Sequence, residues 1–160
     1  MNPGRRARLL VLGFALLVGV SVQAVPILEE AYLQQAETRD FQRLSEFLTG
    51  RENPGNRLIV RTRPENRNGT YLFCRFDTAI AGFAPGTEIQ LEILPSNALV
   101  VETWRFSLPS DSSDRRRLAI GVTGEDWPDL TVSALAWRLR ALDRQGTILL
   151  EEKSYLWEAP

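Results

Sequence analysis

From Leu58 onward the chain alternates apolar and polar side chains with a period of two, and Pro, Gly, Asn and Asp interrupt that rhythm at intervals of roughly ten residues. A strand turns successive side chains to opposite faces, so each uninterrupted run predicts one strand with a buried face and a wet one. The cleanest run is Thr87 to Leu94, where Ile89, Leu91 and Ile93 alternate with Glu88, Gln90 and Glu92. Thr70 to Asp77 sets Leu72, Cys74 and Phe76 against Tyr71, Phe73 and Arg75, and Val100 to Leu108 turns Trp104, Phe106 and Leu108 inward. Arg117 to Thr123 carries Leu118, Ile120 and Val122 on one side, and Thr131 to Asp143 carries Leu135, Trp137 and Leu139. Arg57 to Arg63 and Thr147 to about Trp157 complete seven strands. Asn68-Gly69, two residues that tolerate positive φ, suits a tight hairpin between the first two strands, and Pro85-Gly86 and Asp143 to Gly146 mark further turns. Short strands at this spacing predict an all-β, seven-stranded antiparallel sandwich over residues 53–160.

Residues 25–52 have a different period. Leu28, Tyr32 and Ala36 recur every fourth residue; Phe41, Leu44, Phe47 and Leu48 then follow Asp40, a good N-cap, and precede Gly50, a good C-terminal stop. This spacing predicts a helical N-terminal arm of one or two short helices, with those four side chains on one face.

Residues 1–24 read as an export signal. Arg5, Arg6 and Arg8 form a basic start, Leu9 to Val22 is apolar apart from two glycines and a serine, and Val22-Gln23-Ala24 ends in small residues that a signal peptidase accepts. The apolar run of fourteen residues would span only about 21 Å as a helix, short of the roughly 30 Å hydrocarbon core of a bilayer. Cleavage after Ala24 would leave 136 residues, enough for one domain, with 16 basic and 20 acidic side chains. No membrane span would remain, and that balance lacks the basic excess a nucleic-acid backbone demands.

Charge also changes sign along the chain. The segments 25–52, 53–77, 78–102, 103–124 and 125–160 sum to −3, +3, −3, +2 and −3. Neighbouring strands can therefore set Arg opposite Glu across a wet face. Arg115-Arg116-Arg117 is the one basic cluster; it reads as a solvated strand entrance behind Asp111 and Asp114, with an anion site as the alternative. Cys74 is the only cysteine, which removes any intramolecular disulfide, and its place in an alternating run predicts a buried, inert thiol.

Two stretches, "FAPGTEIQLEI" (Phe83 to Ile93) and "AWRLRALDRQGTILLEEKSYLW" (Ala136 to Trp157), resemble the immunoglobulin-like and fibronectin type III-like domains of exported bacterial proteins. One has a Pro-Gly turn launching an alternating strand; the other has a Trp-bearing strand, a short turn and a closing strand. The resemblance covers about the last hundred residues and implies an immunoglobulin-like sandwich. Such sandwiches host adhesion, scaffolding, carbohydrate binding and chaperoning, so the likeness implies a fold and leaves the function open.

The chain contains no histidine, which removes the Ser-His-Asp and Cys-His arrangements and every imidazole metal site. Neither Gly-rich nucleotide-phosphate motif occurs. The remaining candidate is the stretch "GVTGEDWPDL", Gly121 to Leu130, with Glu125, Asp126, Trp127 and Asp129 between two apolar runs. Its carboxylates suit a calcium loop or the acid–base pair of a hydrolase. Trp127 suits a flat sugar platform together with Tyr71, Trp104, Tyr155 or Trp157. The structural alternative is a turn relieved by Gly124, capped by Asp126 and stiffened by Pro128, with Trp127 folded back as a plug over the core. The expectation is a non-enzymatic, cofactor-free interaction or structural module of the cell envelope, periplasmic or extracellular. Its partner would be another envelope or secreted protein, or a glycan, met through sheet edges and Arg or Tyr side chains. The alternatives are a carbohydrate-binding module built on Trp127 and a carboxylate-dependent hydrolase.

Overall fold

A computed structural model of the chain describes residues 24–109 and 114–158. Apart from Ala24, the expected export signal lies outside the described residues, as does Asp111. The described strands are β1 (Leu28–Ala36), β2 (Arg57–Arg61), β3 (Gly69–Phe76), β4 (Glu88–Pro95), β5 (Glu102–Ser107), β6 (Arg117–Thr123), β7 (Ala134–Leu142) and β8 (Ile148–Lys153). Two short helices, α1 (Thr38–Phe41) and α2 (Leu44–Thr49), separate β1 from β2. The strands form two four-stranded sheets, ordered β1-β3-β6-β2 and β5-β4-β7-β8.

The main core lies between the sheets. Leu72, Cys74 and Phe76 of β3 and Leu118, Ile120 and Val122 of β6 meet Ile89, Leu91 and Ile93 of β4, with Phe106, Leu139 and Ala141 closing the layer. Ile89, Leu91 and Ile93 are at most 2% exposed, so the two-residue alternation predicts the buried face of β4 correctly. Cys74 sits in this layer, where burial pushes its thiol pKa up and leaves no thiolate to react.

A second, smaller apolar cluster covers the outer face of the first sheet. Tyr71 and Phe73 of β3 and Ala119 of β6 lie there under Phe41 of α1, beside Ala36 and Ile59. Gly121 is required in this layer because a Cβ would come within 2.4 Å of the Tyr71 ring. The apolar residues on both faces of β3 thus serve two cores.

Several expectations are corrected. Leu28–Ala36 is an edge strand paired with β3, not part of a helical arm. Residues four apart share a side in a strand as well as in a helix, so the spacing of Leu28, Tyr32 and Ala36 fits both; the free edge of β3 selects the strand. Asp40 lies inside α1, not at its N-cap, and accepts the Glu37 backbone N–H at 2.7 Å. Gly50 does end α2, at φ +66°. Of the four apolar side chains expected on one helical face, only Phe41 is buried; Leu44, Phe47 and Leu48 are largely exposed. Polar contacts, Glu46 to Arg67 among them, hold α2 to the rest of the domain instead.

The Asn68-Gly69 hairpin is absent as well. β2 pairs in parallel with β6 and not with β3, so the link carries the chain across the sheet, and Gly69 does not have positive φ. A Cβ at Gly69 would instead strike the Val122 carbonyl of β6, and close backbone approach is what requires glycine there. The described strands therefore number eight, one pair of them parallel. Leu135 lies at a register irregularity, skipped between Ala134 and Ala136, and is 42% exposed instead of inward. The last strand ends at Lys153, and Tyr155–Glu158 forms a short 3-10 turn.

Charge alternation acts as expected. Glu92 of β4 takes Arg138 and Arg140 of β7 at 2.6 and 3.1 Å, Glu88 takes Arg105 of β5, and Arg75 of β3 takes Glu29 and Glu30 of β1. Covered by its two arginines, Glu92 is only 7% exposed, so the second face of β4 is less wet than its sequence implies.

Candidate functional site

The loop after β6 was the principal sequence candidate, and its geometry follows from how β6 ends. Gly124 takes φ +63° and starts a one-turn 3-10 segment, Gly124–Asp126, closed when the Trp127 N–H donates to the Gly124 carbonyl at 3.1 Å. Trp127 then folds inward and is 5% exposed; its ring meets Trp104 edge to face with centroids 6.3 Å apart. Its indole N–H is buried without an acceptor, so the ring contributes apolar cover and no hydrogen bond.

The three carboxylates of this loop have separate roles. Asp126 receives Arg63 Nε at 3.1 Å, anchoring the loop to the β2–β3 link. Asp129 accepts the Thr131 hydroxyl and backbone N–H at 2.6 and 2.8 Å; these hydrogen bonds hold its pKa below the usual range. Glu125 is exposed. Among the described residues no three His, Cys, Asp or Glu side chains are grouped to hold a metal ion. The hollow beside Trp127, lined by Pro95, Asn97, Glu102 and Asp129, has a volume of about 70 Å³. This is a turn with a plug, and the buried Trp127 presents no ring face to a sugar.

Of the other aromatic candidates only Trp104 lies against it, and the rest stand elsewhere. Tyr71 is fully buried on the outer face of the first sheet, Trp157 lies under the Arg138 guanidinium at 4.9 Å, and Tyr155 is 95% exposed on the C-terminal turn.

Two other places have the shape of a site. The first is a groove of about 720 Å³ between β1 and the start of β7, closed at one end by the C-terminal turn. Leu33, Leu135, Trp137, Tyr155 and Leu156 give it an apolar wall, and Gln34 and Gln35 give it polar atoms. Its shape is fixed by two cross-links: Gln35 Nε2 donates to the Val132 carbonyl at 2.6 Å, and the Trp137 N–H donates to Ser154 Oγ at 2.9 Å. Alongside runs β1, which pairs only with β3 and so leaves one edge of a nine-residue strand without a described partner. No local signal marks this groove in the sequence, because its walls come from opposite ends of the chain.

The second is the lower part of the outer face of the first sheet, lined by arginines of β2, β3 and β6. Above it, the two helices are held by Arg61. Its guanidinium donates to both Glu52 oxygens at 2.7 and 2.8 Å and to Tyr71 Oη at 2.7 Å, and it stacks over Phe41 at 4.9 Å. The Arg61 hydrogen bonds hold the Glu52 carboxyl below its ordinary pKa, and those from Arg138 do the same for Glu92. These are structural ion pairs, each partner being consumed by the other.

No protein-family model matches the chain, and no curated protein or solved structure is significantly similar to it.

Proposed function

We propose that the chain is an exported immunoglobulin-like sandwich that binds another protein of the cell envelope or the secreted fraction through its β1 edge and the adjoining groove. The strand order supports the immunoglobulin-like reading. β1-β3-β6 facing β5-β4-β7-β8 corresponds to strands A-B-E facing C′-C-F-G. β2 occupies the place of strand D beside E, but it reaches that place before strand B and so runs parallel. Export rests on the basic and apolar start of the chain. Among the described residues no helix is long and apolar enough to cross a membrane.

The observation that carries the interaction reading is the coincidence of an open strand edge with a groove of about 720 Å³. A strand edge offers a row of N–H and C=O groups to an incoming extended segment, and an apolar groove beside it offers pockets for alternate side chains. Leu135, Tyr155 and Leu156 are 42%, 95% and 54% exposed around that groove. The carboxylate loop, by contrast, is engaged in its own turn.

A photo-crosslinking side chain at Tyr155 tests this in the envelope of producing cells. We expect one discrete adduct, lost when Leu135→Asp or Leu156→Asp places a charge in the groove. Equal crosslinking from Arg144, in the β7–β8 turn, or an adduct that survives both charge substitutions, would contradict the reading.

A further inference from the structure

The first sheet carries a row of arginines along its outer face. Arg75 of β3 lies opposite Arg117 of β6, and Arg117 lies opposite Arg57 of β2. Their neighbours Cys74, Phe76, Leu118 and Leu58 are buried in the core, so all three arginines point away from it. Like charges set directly opposite each other destabilise a sheet, and this row repeats the conflict across three adjacent strands.

Carboxylates compensate only one end of the row. Arg75 holds both Glu29 and Glu30, at 3.4 and 3.2 Å. Arg57 and Arg117 form no ion pair with a described carboxylate, and neither do Arg115 and Arg116 just ahead of β6. The described arginines of β3, β5 and β7, in contrast, are all paired. Four arginines without a described carboxylate partner thus lie together here.

The place is also concave and held in shape. Hollows of about 290 and 500 Å³ flank Arg75 and Arg117, which line both. The Arg57 guanidinium lies over the Phe73 ring at 4.8 Å, and Arg115 donates to the Arg57 carbonyl at 3.4 Å. The approach to β6 is fixed by backbone bonds, because the Arg116 carbonyl receives Phe76 N–H and the Arg115 carbonyl receives Ile80 N–H, both at 2.8 Å.

We propose that this arginine row binds a phosphate group, held between the guanidinium groups of Arg57 and Arg117 and supported by Arg115 and Arg116. Arg57 and Arg117 are register partners on adjacent strands and line one hollow, which places two guanidinium forks to straddle one tetrahedral oxyanion with N–H···O bonds. A phosphate anion in that position would offset the like-charge conflict that the fold otherwise carries. The opposing acids at the site are Glu29 and Glu30, both taken by Arg75, and the exposed Asp114. The group would be carried by a soluble phosphate or by a lipid headgroup, sources that share this chemistry.

The test uses the full chain with inorganic phosphate, titrated calorimetrically against chloride at matched ionic strength. Phosphate should bind and raise the melting midpoint where chloride does not. Arg57→Gln and Arg117→Gln should each weaken binding at least tenfold, while Arg144→Gln leaves it unchanged. Without phosphate, Arg117→Gln should melt about 1–3 °C higher than the native chain, because a like-charge neighbour is removed; this readout also shows that the variant folds. Sedimentation with phosphatidylglycerol and with phosphatidylcholine vesicles separates the sources. Loss of phosphatidylglycerol binding in Arg117→Gln assigns a lipid headgroup, and vesicle binding indifferent to the substitution assigns a soluble phosphate. Equal effects of phosphate and chloride, or native phosphate affinity in both Gln variants, would overturn the proposal.

Discussion

Leu91→Ala is expected to cost about 3–4 kcal/mol of folding stability, the largest effect of any single truncation considered. Leu91 is fully buried at the middle of β4, opposite Trp104 on β5 and Leu139 on β7, and it faces the first sheet across the main core. Truncation removes the transfer free energy of the side chain and leaves a cavity that neighbours on three strands cannot collapse to fill. Leu91→Met keeps the volume and should cost less than about 1.5 kcal/mol. Urea unfolding of both variants checks this: the midpoint of Leu91→Ala should fall with little change in slope. A loss under 1 kcal/mol for Leu91→Ala would mean that the two sheets do not close on this residue.

Arg61→Ala should be the next most damaging change, at about 3 kcal/mol. The Arg61 side chain is 6% exposed and joins four partners: Glu52, Tyr71 Oη and the rings of Phe41 and Tyr71. Removing it leaves the partly buried Glu52 carboxylate with only the longer Arg67 contact at 3.8 Å and releases the cover over the second apolar cluster. Amide exchange should then accelerate across α1, α2 and the loop to β2, well before the main core opens.

The same pair sets a dependence on pH. The folded-state pKa of Glu52 lies below its ordinary value because of Arg61, so its contribution is present above the unfolded carboxylate pKa. It is lost as pH falls through the folded value. Glu92, under Arg138, acts in the same direction. Native stability should therefore fall as the pH is taken below about 4.5, and this acid limb should be shallower in Arg61→Ala, where Glu52 loses the hydrogen bonds that depress it most and keeps only the more distant Arg67. An acid limb of unchanged slope would show that Arg61 does not depress Glu52.

Much of the second sheet was legible in the chain, because its strands carry a direct record of burial. Ile89, Leu91 and Ile93 alternate with polar neighbours, and the Pro85-Gly86 turn that launches them has the positive φ its glycine allows. The first sheet was harder to read because part of its outer face is covered. Tyr71 and Phe73 are buried under α1, so β3 looks apolar on both sides. The i, i+4 spacing in β1 is common to helix and strand, and only the tertiary context of β3 separates the two. The parallel pairing of β2 with β6 depends on contacts sixty residues apart, Arg57 to Arg117 through Arg61 to Gly121, and no local turn announces it.

The sites divide along the same line. The Glu125-Asp126-Trp127-Asp129 loop stood out because its residue types cluster in sequence, yet Arg63 and Thr131 engage its two aspartates and the core takes its tryptophan. The groove beside β1 and the arginine row are assembled from distant segments. Composition did register the second of these, since Arg115-Arg116-Arg117 is a visible basic run. Its significance depends on Arg57 and Arg75, which only the sheet register brings beside it.

Backbone NMR of residues 28–36 tests the central claim most directly, because the fold and the proposed contact surface both depend on β1 being an open edge strand. Chemical shifts should be those of extended backbone, and amide protection should alternate along the strand. Amides bonded to β3 should exchange slowly and those on the outer edge quickly. Helical shifts, or protection of consecutive amides through this segment, would contradict the account.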